Sequence, residues 1–258
     1  MTVKAFLAAS TALVTLAGTA QAADVAALIG NDTIAIVDTS TKKATKKMKV
    51  EGVTGPLVGI DVRPADGMLY ALAADGTLYT IAMDGKATKK SKLETMLPAG
   101  ASATVDFNPV ADRLRVIGSD GTSLRVNVDD GKVIKDGSLK YADGDANKGK
   151  TPKVMAGAYT NSVKGTKETT LLNVDSTTGA LVKQAPPNDG VLNTVGALGP
   201  KVDVVAFDIW SDGTKNEGWA MTGDQLWSID LATGKATSVA KIEGLGGVVA
   251  DIAILPKM

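Results

Sequence analysis

Five stretches of this chain repeat one pattern, with first residues 44, 46, 47 and 55 positions apart, and that periodicity limits the fold more than any other feature. Each stretch opens on Leu or Ile, runs as a short strand, reaches an Asp within six residues and breaks at a polar turn. They are Ile34-Ala35-Ile36-Val37-Asp38, Leu78-Tyr79-Thr80-Ile81-Ala82-Met83-Asp84-Gly85, Leu124-Arg125-Val126-Asn127-Val128-Asp129-Asp130-Gly131, Leu171-Leu172-Asn173-Val174-Asp175 and Leu226-Trp227-Ser228-Ile229-Asp230. A period of roughly 40–50 residues made of strands and turns, without a helical pattern, is what propeller blades produce. The expected fold is therefore all-β: a β-propeller of five blades.

A second repeated element precedes the first and reads as the innermost strand of each blade. It is Gly59-Ile60-Asp61-Val62-Arg63-Pro64, Val105-Asp106-Phe107-Asn108-Pro109, Phe207-Asp208-Ile209-Trp210 and Ala250-Asp251-Ile252-Ala253-Ile254, with Ala158-Tyr159-Thr160-Asn161 in the same place in the fourth segment. Middle strands are expected over residues 69–72, 114–117 and 218–221. The ends complement each other. Strands over residues 25–50 have no inner strand before them, and an inner strand over residues 248–255 has no blade after it, so the C-terminal strand is expected to complete the N-terminal blade. Such closure removes the exposed sheet edges that all-β folds must manage. Asp-Gly pairs at 66–67, 75–76, 84–85, 120–121 and 130–131 supply turns in which positive φ costs little.

Residues 1–22 read as a signal peptide: Lys4 provides the positive start, residues 5–18 the apolar run and Ala20-Gln21-Ala22 a small-x-small cleavage site. The run is too short and too broken by Ser10, Thr11 and Thr15 for a membrane span, which needs about 20 apolar residues. The expectation is cleavage before Ala23, a periplasmic or secreted product with no membrane span afterwards, and one propeller domain over residues 23–258.

Two absences bound the chemistry. The chain has no cysteine and no histidine. Disulfides, thiolate nucleophiles, a Ser-His-Asp triad, His-ligated zinc or haem and a His general base are all excluded. Catalysis would fall to carboxylates, Lys, Tyr or a hard cation held by oxygen ligands. Lys plus Arg and Asp plus Glu balance at 28 each, so bulk charge offers nucleic acid nothing.

The inner-strand aspartates Asp61, Asp106, Asp208 and Asp251 recur at equivalent places, so a propeller would bring them to one level around its axis. Pointing into the channel, they would form a carboxylate ring that needs protons, solvent or a cation, with calcium the natural occupant. The competing reading makes each Asp a cap for backbone amides of the neighbouring blade. A second candidate calcium ligand set is Asp143, Asp145 and Asn147 in Asp143-Gly144-Asp145-Ala146-Asn147-Lys148-Gly149, where oxygen side chains alternate as at the start of a calcium loop. The match then fails, because Val154 stands where a bidentate Glu belongs, and an Asx-rich structural loop is the alternative. Five lysines over residues 42–49 and four over residues 86–92 fall where outer strands are expected. They read either as a docking patch for an acidic polymer or as protection of sheet edges. Trp210, Trp219 and Trp227 are either a stacking platform for a sugar or packing between blades.

The runs over residues 59–64 and 105–109, Asp112-Arg113-Leu114-Arg115-Val116, and residues 141–147, 158–161 and 186–199 together resemble a secreted bacterial family labelled domain of unknown function 4394. The resemblance covers nearly all of the mature chain and implies propeller-like repeats and an exported product. It brings no activity, cofactor or catalytic residue. Asp143 stands where the family pattern is expected to be variable, which weakens the calcium-loop reading.

Two functions compete. One is a non-catalytic binding or scaffolding propeller, monomeric, for a protein, glycan or small ligand. The other is a calcium-dependent hydrolase of an ester or lactone, with a channel cation held by Asp61, Asp106, Asp208 and Asn108 or Asn161.

Overall fold

The computed structural model describes residues 23–199 and 206–256, so the expected signal peptide lies outside the described residues. In chain order, β1 (Asp24–Ile29), β2 (Thr33–Asp38) and β3 (Lys43–Lys49) start the first blade. The second blade is β4 (Leu57–Val62), β5 (Leu69–Ala73), β6 (Thr77–Ile81) and β7 (Ala87–Lys92). The third is β8 (Ala103–Asn108), β9 (Arg113–Gly118), β10 (Ser123–Val126) and β11 (Val133–Lys135). A short β12 (Lys140–Tyr141) precedes the fourth blade, which comprises β13 (Val154–Tyr159), β14 (Leu171–Asp175), β15 (Ala180–Gln184) and β16 (Val191–Ala197). The fifth blade is β17 (Ala206–Ser211), β18 (Asn216–Thr222), β19 (Gln225–Ile229) and β20 (Ala236–Lys241). The last strand, β21 (Val249–Ile254), returns to the first blade and pairs antiparallel with β1, placing Val25 opposite Ile254 and Ala27 opposite Ile252.

The architecture is thus the expected five-bladed β-propeller, its N-terminal blade completed by the C-terminal strand. The five inner strands touch in a closed cycle, β21 to β4 to β8 to β13 to β17 and back to β21. Among the described residues no helix is long and apolar enough to cross a membrane.

One apolar cluster fills each of the five blade interfaces. Leu28, Ile34, Ile60 and Tyr79 join blades one and two, and Leu72, Phe107, Leu114 and Leu124 join two and three. Tyr159, Leu171 and Val182 meet Ile117 between three and four. Leu172, Leu181, Phe207 and Ile209 join four and five, while Val25, Trp219, Met221 and Ile252 close the ring between five and one. A blade is buried on both faces by its neighbours, which is why β5 is buried at every position and shows no polar alternation. The outer strands differ. β3 and β7 carry most of the lysines of their two runs toward solvent, the placement that discourages edge pairing.

The fourth blade departs from the expected register. In the other four blades the repeated Leu or Ile opens or lies in the third strand, but Leu171 opens β14, the second strand, and β15 with buried Leu181 is the third. Leu181 lies 45 residues before Leu226, in line with the other spacings. The extra length falls instead in the connection between blades three and four, where β12 adds a fifth, parallel strand beside β16. A Leu-x-x-Val-Asp strand followed by a turn suits either position, so the motif by itself did not distinguish them.

Candidate functional site

The inner-strand aspartates act as clasps between blades. Ile60 N–H donates to Asp251 Oδ2 at 2.9 Å, Phe107 N–H to Asp61 Oδ2 at 2.6 Å, Tyr159 N–H to Asp106 Oδ1 at 2.9 Å and Ile254 N–H to Asp208 Oδ2 at 2.6 Å. Each bond runs from one blade's inner strand to the carboxylate of its neighbour. The remaining oxygens of Asp61, Asp208 and Asp251 accept the N–H of the following residue, from Val62, Ile209 and Ile252. Asp106 is the exception, because the N–H of the residue that follows it, Phe107, is taken by Asp61. The fourth blade has no aspartate here. Its junction with the fifth is held instead by Asn161 and Asn216, whose side chains bond each other while Asn161 N–H donates to Asn216 Oδ1 at 2.7 Å.

The inner strands approach closely enough to require glycine at one point. A Cβ on Gly59 would lie 2.7 Å from Val105 Cγ2 and 3.0 Å from Asp251 Oδ2, so the Gly-Ile-Asp sequence of this strand serves the clasp.

The same geometry brings acids together. Asp61, Asp106 and Asp208 each present an oxygen, and these oxygens all lie within 4.8 Å of one another. Among the described residues they form the one acidic group with that spacing, and Asp251 lies outside it. All four aspartates are only 5–6 % exposed. Burial is the main cause that raises each carboxyl above its usual 3.8. Asp208 is raised to about 6, against the N–H bonds that favour its charged form. Asp61 is pushed well above 3.8 by burial and then by Asp208, Asp106 by burial and then by Asp61 and Asp208, and Asp251 chiefly by burial. The capping and converging readings of these residues are therefore compatible, since one carboxylate does both.

Asp61 and Asp208 also form the floor of a cavity of about 330 Å³ at the end of the axis where the inner strands finish. Its walls include Val62, Val163, Ile209, Trp210 and Leu255, and Lys164 with Ser162 and Ser211 supplies polar groups. Nothing in the sequence pattern marked Val163, Lys164 or Leu255, because the loops that bring them together come from separate blades. Trp210 carried the one usable signal, as a candidate stacking residue. The three tryptophans do not make a common platform. Trp219 packs with the first blade, Trp227 with the fourth, and Trp210 alone reaches the cavity.

The second candidate set is occupied with local structure. Asp143 is exposed and pairs with Lys148 at 3.1 Å. Asp145 accepts Thr194 N–H at 2.6 Å, the Thr194 hydroxyl and Asn147 N–H, while Asn147 donates to Thr194 Oγ1. The loop is thereby tied to β16, as the Asx-rich reading expects. Asn108 accepts the N–H groups of Val110 and Ala111 in its own turn, so neither it nor Asn161 offers the acids a fourth ligand of the kind expected.

Two arginines that sequence reasoning passed over hold the third blade in place. Arg63 donates to Asp112 on the next blade at 2.8 and 2.6 Å and also reaches Asp129. Arg115, buried between blades three and four, pairs with Asp136 at 2.5 Å and donates to Tyr159 and Asn188.

The family model for the domain of unknown function DUF4394 matches residues 33–253. The chain belongs to this family. No curated protein matches it. Among solved structures it is similar to a structural genomics protein of unknown function from Bacteroides thetaiotaomicron VPI-5482, with a TM-score of 0.54 and 15 % identity. That match covers 91 % of this chain and 65 % of the other, so the chain spans less than two thirds of that protein. It is also similar to a chain in a nidogen–laminin complex, with a TM-score of 0.54, 12 % identity and coverage of 92 % of this chain and 99 % of that one. At these identities the likeness concerns the fold.

Proposed function

We propose that this family member is an exported, non-catalytic binding propeller that seats a small ligand, or the tip of a larger one, in the axial cavity above Asp61 and Asp208. The observation that carries the reading is the cavity itself: about 330 Å³, walled by apolar side chains and Trp210, with two buried carboxylates at its base. Apolar walls with a few convergent polar groups are the usual make-up of a ligand site. The chain's lack of His and Cys favours binding over nucleophilic or His-based chemistry. Export is supported by the signal-like run over residues 1–22.

The test is a thermal-shift and tryptophan-fluorescence screen of amines, carboxylates, sugars and short peptides against the wild type and a cavity-filled variant, Val163→Trp. The reading predicts ligands that stabilise the wild type and lose their effect in the variant. Ligands that stabilise both proteins equally, or a screen in which none stabilises the wild type, would overturn it.

One observation favours a second reading, a cation-dependent hydrolase of an ester or lactone: three acidic oxygens within 4.8 Å of one another beside the cavity. Against it, Asn108 and Asn161 are engaged in turn and blade contacts. Turnover of model esters or lactones that requires calcium and disappears in Asp208→Asn would replace binding with hydrolysis.

A further inference from the structure

We infer that the axial cavity selects a carboxylic acid with a compact apolar or aromatic body, its carboxylate held at the mouth by Lys164 and Ser162. The inference rests on the cavity being a ligand site and names the chemistry of what it takes.

The two ends of the cavity differ in what they still have to offer. Asp61 and Asp208 lie at the base, 5–6 % exposed, while Lys164 is exposed and Ser162 half-buried on the solvent side. At the base every oxygen of both aspartates already accepts an N–H, from Val62, Phe107, Ile209 and Ile254, and burial raises both carboxyls above their usual range. These acids are committed to the blade junctions and call for no added cation. At the mouth, among the described residues, neither the Lys164 ammonium nor the Ser162 hydroxyl has a hydrogen-bond or ion-pair partner. Lys164 is also absent from the groups that act on Asp61 and Asp208, so the base does not answer its charge. An ammonium and a hydroxyl beside apolar walls suit a carboxylate, because charge-assisted hydrogen bonds are the stronger kind.

The loop that carries these groups is fixed in place. Ser162, Val163 and Lys164 follow Asn161, whose N–H and side chain are tied to Asn216 at 2.7 and 2.8 Å. Val163 N–H donates to Asn161 O at 2.7 Å, and the far end of the loop is held to Thr160 by the Thr169 hydroxyl and Thr170 N–H. Gly213 in the fifth blade makes room for the loop, since a Cβ there would lie 3.3 Å from Val163 Cγ2. The asparagine pair that replaces the aspartate clasp in blade four therefore also positions the cation and the apolar wall before a ligand arrives, which lowers the ordering cost of binding. At about 30 Å³ for each water-sized unit, the volume of about 330 Å³ holds about ten non-hydrogen atoms, the size of phenylacetate.

The experiment is isothermal titration of the purified protein with phenylacetate, its neutral isostere phenylacetamide and the cation phenethylamine. Wild type, Lys164→Met and Lys167→Met are compared, because Lys167 lies on the same loop but lines a different cleft. Phenylacetate should bind the wild type at least about ten-fold more tightly than phenylacetamide, the margin that one hydrogen bond to a charged group supplies. Lys164→Met should close that gap by weakening the carboxylate alone, and Lys167→Met should leave it open. Binding of phenylacetamide or phenethylamine as tight as that of phenylacetate would overturn the inference while leaving the cavity a ligand site. A gap that survives Lys164→Met, or that closes in Lys167→Met, would do the same. If none of the three binds at millimolar concentrations the inference also falls, and the cavity's role as a ligand site then depends on whether another ligand stabilises the wild type and loses its effect in Val163→Trp.

Discussion

Stripped of divalent ions, this propeller should become more stable as the solution is acidified from pH 7.5 to pH 5. The carboxyls responsible are Asp61, Asp106, Asp208 and Asp251, all of them buried. Asp208 sets the scale: its carboxyl moves from 3.8 to about 6 on folding. A group raised in this way takes up a proton in the folded state first. Its contribution is complete below about pH 3.8 and is lost as the pH rises through about 6. Linkage then gives about 1.4 kcal/mol more stability at pH 5 than at pH 7.5 from Asp208 alone, and about 3 kcal/mol over the full window. Asp61, Asp106 and Asp251 are raised as well and act in the same direction. For a chain of this size the Asp208 share alone corresponds to about 3–6 °C in Tm.

Acids held low in the folded protein work the other way. Asp38 and Asp212 lie at about 2, through bonds from Ser40 and from Lys215 and Thr214, and their stabilisation is lost only as the pH falls well below 4. The interval from pH 7.5 to 5 therefore reports the axial acids. The assay is urea unfolding in EDTA at several pH values, compared with the same series in Asp208→Asn, whose slope should be shallower. A wild-type stability that is flat or falls between pH 7.5 and 5 would refute the claim that burial raises these carboxyls.

Gly59→Ala should cost about 1–3 kcal/mol by overpacking, because its Cβ meets Val105 at 2.7 Å, and pairing it with Val105→Ala should recover part of that loss in a double-mutant cycle of unfolding energies. Phe107→Ala should cost about 3–5 kcal/mol in chemical denaturation, since its fully buried ring packs edge-on against Tyr70 with centroids 5.2 Å apart. The exported protein should begin at Ala23 by intact-mass spectrometry, and a secreted product that retains residues 1–22 would contradict cleavage.

Much of the fold was legible because a propeller repeats its physics. Each inner strand must offer the next blade a hydrogen-bond acceptor, and a single Asp per strand does so at Asp61, Asp106, Asp208 and Asp251. The strand starting near Val249 had no blade of its own, which pointed to its pairing with β1. The fourth blade escaped the same reasoning. Its junction uses Asn161 and Asn216, far apart in sequence and without a repeated motif, and its Leu-rich strand fits two registers equally well. The cavity was hidden for a related reason: Val62, Val163, Trp210 and Leu255 belong to four blades, and only ring closure assembles them. The acid cluster was foreseeable from symmetry, but that Asp61, Asp106 and Asp208 group while Asp251 stands outside depends on how each blade sits against the next.

The most direct measurement is a crystal structure of the protein soaked with a ligand that stabilises it in the thermal-shift screen. The account predicts ligand density in the axial cavity, against Trp210 and beside Asp61 and Asp208. Ligand density confined to another part of the surface would contradict it.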